Sequence, residues 1–142
     1  MYKVTRTDKL KETFVVEAGE DRLELTVDID IDAFIGKYNR TRAELLAATD
    51  KVKDGGQSAV DGYGEAVVAL LRLVFGDEQA AQLLAFYDGR YSAMLIDVYP
   101  FLNDVVVPAA TAASAARRQQ LTAAAKATRK HGQRTGKHRW GR

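Results

Sequence analysis

VVALLRLVFGDEQAAQLLAFYDGRYSAMLIDVYPFLNDVVVP, residues 67–108, holds most of the large apolar side chains outside the N-terminal strands, interrupted only by Gly76, Gly89, Pro100 and Pro108. Just before and within it, Val60, Tyr63, Val67, Leu70, Leu71 and Val74 recur at three- and four-residue steps, with Ala66 and Leu73 widening the stripe. That spacing predicts a mostly buried helix. Gly76 suits the left-handed position past its end, and Asp77 with Glu78 offers a cap and negative charge to the next helix's unpaired N–H groups. Ala80, Leu83, Leu84 and Tyr87 give this second, short helix its inner face, and Asp88 with Gly89 closes it. A third helix starts near Arg90, with Tyr91, Met94, Leu95, Val98, Leu102, Val105 and Val106 on one face. The three are expected to stack antiparallel. Pro100 removes a donor and crowds the Ile96 carbonyl, which predicts a kink or break there. Stiff Val105, Val106 and Val107 followed by Pro108 predict a second break.

Working towards the N-terminus, residues 55–64 contain four glycines, which reads as a flexible loop followed by a helix start. GYGEAV, residues 62–67, lacks the third glycine, the preceding strand and the lysine that a phosphate-binding loop needs. Ile31, Phe34, Ile35, Tyr38, Leu45, Leu46 and Val52 recur as one long first helix. Before it, apolar and polar residues alternate over 12–17 and 22–30, with Phe14 and Val16 answered by Leu23, Leu25, Val27 and Ile29. Ala18 to Asp21 supply the turn of an antiparallel hairpin whose apolar face must lie on the helices, because two strands alone are only marginally stable. DIDID, residues 28–32, mimics the opening of an EF-hand loop, but Ala33 stands where that loop needs glycine and Asn39 where a bidentate Glu should close it. Outward carboxylates on a strand, with Asp30 or Asp32 capping a helix, explain the segment more simply.

Towards the C-terminus, AATAASAARRQQLTAAAKATRK is rich in alanine and has one large aliphatic residue, Leu121. High helix propensity without a core face predicts a projecting or partner-dependent helix. HGQRTGKHRWGR, with three glycines and little to bury, reads as disordered.

Length and composition, 142 residues with 46% hydrophobic content, support one core plus a tail. The chain has no cysteine, which removes disulfides, thiolate metal sites and cysteine catalysis and agrees with a cytoplasmic setting. MYKVTRTDKLKETF lacks the apolar core of a secretory signal, and no apolar run approaches the ~18 residues of a membrane span, so a soluble protein without a membrane partner is expected. A net charge of +2 conceals a division: residues 1–104 carry 12 basic and 19 acidic residues (12 − 19 = −7), while residues 105–142 carry 9 bases and no acid.

Side chains capable of chemistry are scattered. His131 and His138 sit in the basic tail, and Ser58, Ser92 and Ser114 lack the surroundings of a nucleophile. Asp88, Asp97 and Asp104 form no evident acid/base set and read as a cap and exposed helix faces. A non-enzyme without cofactor or metal is expected. Arg129, Lys130, Arg134, Lys137, Arg139 and Arg142, with Trp140 among them, could track phosphates and stack a base, which makes nucleic acid the alternative partner. Tyr87, Tyr91, Tyr99 and Phe101 near the prolines, with Leu121, are the candidate protein-binding residues.

Phe75-Gly76 closing one helix, Phe86-Tyr87-Asp88-Gly89 closing the next, and Tyr99-Pro100-Phe101 before an Ala-rich, charged end together resemble proteins of phage and prophage tail-gene clusters in Gram-positive bacteria, the tail assembly chaperone-like proteins. The resemblance covers residues 75–109. It implies a non-enzymatic factor, acting in the bacterial cytoplasm, that binds a tape-measure or tail-tube protein and keeps it soluble during tail assembly. The expected fold is α+β and mainly α. A hairpin (12–30) packs on helices at about 31–53, 58–75, 77–87 and 90–107 within one domain, 1–107, followed by an Ala-rich helix (108–128) and a basic disordered tail (129–142). A structural virion component that adds strands to a neighbour's sheet is a third reading, and self-association is compatible with all three.

Overall fold

The computed structural model describes residues 1–5 and 9–139, with side-chain surroundings through residue 131. Strands β1 (Lys9–Ala18) and β2 (Asp21–Asp30) form an antiparallel hairpin, the one sheet among the described residues. Leu10 lies opposite Ile29, Phe14 opposite Leu25 and Val16 opposite Leu23, so these apolar side chains share one face, with Val15 left exposed on the other. β1 therefore starts at Lys9, earlier than the alternation starting at residue 12 suggests, because Leu10 still finds an apolar neighbour across the ladder. Gly19 takes φ +63° at the first central position of the two-residue turn, which a II′ hairpin requires.

Asp30 Oδ1 accepts the N–H groups of Asp32 (3.0 Å) and Ala33 (3.2 Å) and bends the chain from β2 into α1 (Phe34–Val52). The cap position of that helix is Ala33, without a side-chain bond. Helix α2 (Gln57–Phe75) follows, and α1 with α2 is the most extensive helix pairing. The glycine-rich stretch is mostly not a loop: Gly62 and Gly64 lie inside α2. Gly64 is there for space, since a Cβ would meet the Tyr91 ring at 3.1–3.3 Å.

Gly76, at φ +83°, joins α2 to α3 (Asp77–Phe86) and is itself the cap residue of α3, while Asp77 and Glu78 act only as charges in its first turn. Asp88 (φ 53°) and Gly89 (φ 73°) turn the chain into α4 (Tyr91–Phe101). Neither proline ends the helix: the break expected before Pro108 is absent, and Pro100 causes no break. A π-helical segment, Leu102–Val106, links α4 directly to α5 (Val107–Arg139), and Pro100 lies within the helix. The Val107 N–H donates to the Leu102 carbonyl, the wide bond of a π turn. That turn makes room for the Pro108 ring, which in a regular α turn would press on the carbonyl four residues back. The helix also continues to Arg139 where a disordered tail from residue 129 is expected. Once the upstream turns have met the cost of nucleation, each further residue adds a bond, and Gly132 and Gly136 cost only about 1 kcal/mol each.

One core cluster joins the hairpin face to the helices: Leu25, Val27, Leu45, Val67, Leu70, Leu71, Leu83, Met94, Val98, Leu102 and Val106 are fully buried. The molecule is α+β and mainly α. The continuous helix Tyr91–His131 contains a window of mean hydropathy 1.3, long and apolar enough by composition to cross a membrane. A third of that window is buried, including Leu95, Val98, Leu102, Val106 and Ala110, while Ile96 and Val105 are exposed.

Candidate functional site

Helix α5 divides at Arg117. Ala110 is fully buried, and Ala113, Ser114 and Arg117 are half-buried at the next turns of the same face. Ser114 Oγ donates to the Ile31 carbonyl (3.0 Å), and Arg117 Nη1 donates to Asp32 Oδ2 (2.7 Å), fastening the helix to the connection between β2 and α1. The expectation of a helix without any core face therefore fails for its first three turns, where small alanines allow close approach. From residue 118 to residue 131 every side chain is exposed, Leu121 among them at 68%. At 1.5 Å per residue, residues 118–139 extend for about 33 Å.

That projecting length carries Arg118, Lys126, Arg129, Lys130, Arg134, Lys137 and Arg139 and no acid. Lys126, Arg129 and Lys130 share a face through their i, i+3, i+4 spacing. Arg134, Lys137 and Arg139 lie on the helical backbone with side chains outside the described residues, as does His138, and Trp140 and Arg142 lie outside them altogether.

The aromatic candidates are held by the body instead. Tyr87 donates from its hydroxyl to Asp97 Oδ2 at 2.6 Å; burial first, then this bond and the Asp97 charge, push its hydroxyl far above the ordinary phenol range. Tyr91 meets Tyr63 edge-on at 6.0 Å. Tyr99 is raised by burial, then by Tyr63 and Tyr38, against a smaller opposing effect of Arg42. Phe101 packs on Phe14 at 5.0 Å and stacks on Phe75 at 6.3 Å, tying α4 to the hairpin. All four are half-buried, while Leu121 stands apart from them on the projecting helix.

The carboxylates of DIDID have separate tasks: Asp28 lies 3.8 Å from Lys9, Asp30 shapes the turn, and Asp32 holds Arg117. Among the described residues no three His, Asp or Glu side chains gather as a metal site. Asp88 sits in the left-handed turn after α3, and Asp104 is exposed in the π-helical segment.

An open groove of about 1060 Å³ lies between α1 and α2, floored by alanines 47, 48, 59, 66 and 69 with Gly55 and Gly62, and edged by Glu44, Asp50, Asp54 and Glu65 against a single base, Lys51. Its acidic rim is unsuited to phosphate, which answers the GYGEAV motif. Sequence reading passed over this groove, although alanine on both helices at facing positions was its visible signal.

Comparison with protein-family models, curated proteins and solved structures finds no match for this chain.

Proposed function

We propose that this chain is a non-enzymatic assembly factor of the phage tail chaperone type, which engages a long helical client, a tape-measure or tail-tube protein, through α5. What carries the reading is the contrast along that helix. Its root is fixed by Ala110, Ser114 and Arg117, whereas residues 118–130 are exposed and bury no side chain in the body. Most helix stability in proteins comes from tertiary packing, so an exposed Ala-rich rod gains by burial against another helix. Small side chains permit close approach, and Leu121 offers one apolar anchor. Tyr87, Tyr91, Tyr99 and Phe101 then serve chiefly to brace the helix that α5 continues.

Seven bases without an acid on residues 118–139 favour a second reading, in which α5 lies along nucleic acid. Pull-down from the host at low and moderate salt, comparing the full chain with one ending at Arg117, separates the two. The assembly reading expects a larger helical protein that is retained at moderate salt and lost with the truncation. The alternative expects nucleic acid whose retention collapses as salt rises. Retention of the same client by the truncated chain would sink both, and presence of the chain in purified particles would favour a structural component.

A further inference from the structure

The hairpin's two edges differ. On the outer edge of β2, Gln79 of α3 donates from Nε2 to the Thr26 carbonyl (2.7 Å) and accepts the Thr26 N–H at Oε1 (2.9 Å), much as a neighbouring strand would. Both Thr26 backbone groups thus point away from β1, which makes Thr13–Thr26 a non-hydrogen-bonded pair of the ladder. Alternation then turns the backbone groups of Lys9, Lys11, Thr13, Val15 and Glu17 outward along the far edge of β1. None of these groups has a hydrogen-bonded partner among the described residues.

We propose that this edge joins two copies of the chain, paired antiparallel about a two-fold axis at Thr13 into a four-stranded sheet. Charge and length select that register. Centring on Thr13 sets Lys9 opposite Glu17 of the second copy at both ends of the seam and uses every outward group from 9 to 17. Leu10 then meets Val16 on the inner face, and Lys11 meets Val15, which is 41% exposed in the single chain. Centring on Lys11 or Glu12 would set two like charges face to face, and centring on Phe14 would carry Lys9 past the end of the opposing strand. An edge whose own charges answer each other fits a second copy better than an unrelated strand. Edge lysines commonly keep strands apart, and here the glutamate opposite each Lys9 reverses that effect.

The test is the mass of the full chain by light scattering or sedimentation over concentrations reaching about 100 µM. A shift from monomer to dimer is expected. Thr13→Pro removes a central outward N–H without touching a bond inside the hairpin, and should leave a monomer with unaltered helical circular dichroism. Lys9→Glu should weaken the dimer by roughly tenfold, and adding Glu17→Lys should restore it. If Thr13→Pro fails to fold, the charge exchange decides alone. A chain that stays monomeric throughout, or a dimer indifferent to both the proline and the charge exchange, overturns the proposal.

Discussion

Among the described residues, the Tyr38 hydroxyl is the one buried side-chain polar atom without a hydrogen-bond partner. Its ring is 2% exposed and stacks on Phe34 at 5.4 Å, so the site rewards the ring and penalises the oxygen. Tyr38→Phe should therefore raise stability by about 1 kcal/mol, seen as a later thermal midpoint; a loss of stability would mean that the hydroxyl is bonded after all. Tyr87 differs because Asp97 accepts its hydroxyl proton. The folded-state pKa is raised above the ordinary value of 10.0, so the folded chain holds this proton more firmly than the unfolded one. The resulting stability is full below about pH 10 and is lost as pH climbs towards the folded value. Unfolding midpoints should fall above that pH in the native chain, and Tyr87→Phe should flatten the fall. Tyr38 was legible as part of a helical stripe, whereas the Tyr87–Asp97 bond joins two elements and has no periodic signature.

At the level of elements, the hairpin is fixed to α3 largely through one amide. Gln79 also donates to the Phe75 carbonyl (2.8 Å), completing three bonds from a side chain that sequence reading would leave to solvent. Gln79→Ala should lower the unfolding free energy in urea by about 1–3 kcal/mol with an unchanged slope, and Gln79→Glu should do no better, since a carboxylate cannot donate to Thr26. The π-helical segment had a sequence signal that local rules obscured. Met94, Val98, Leu102, Val106, Ala110 and Ser114 succeed one another at steps of four. In a straight α-helix each such step overshoots the face by about 40°, so five would carry Ser114 to the far side of Met94. The extra residue of the π turn takes back about half of that drift. Proline rules alone predicted a kink or break at Pro100 and a break at Pro108, whereas the spacing of the buried residues called for a continuous helix with a local insertion. Strand alternation, by contrast, gave the hairpin directly, because period-two patterning needs no knowledge of distant partners.

For the molecule as a whole, residues 1–117 hold the core cluster, and residues 118–131 add charge without burial. A chain ending at Arg117 should keep its thermal midpoint within about 2 °C, since exposed residues contribute little to stability, while its helical signal falls. Cutting instead before Ala110 would open the core and lower the midpoint markedly. The sequence foretold the acidic body, the basic extension and the α+β class. It could not foretell where the extension leaves the surface, because that depends on Ile31 and Asp32, 83 and 85 positions away from their partners Ser114 and Arg117. The rod beyond Arg117 bears on hydrodynamics. A spike of about 33 Å on a small body adds drag out of proportion to its weight. Even a solitary copy should tumble slowly and travel through a porous column ahead of a sphere of 15.6 kDa.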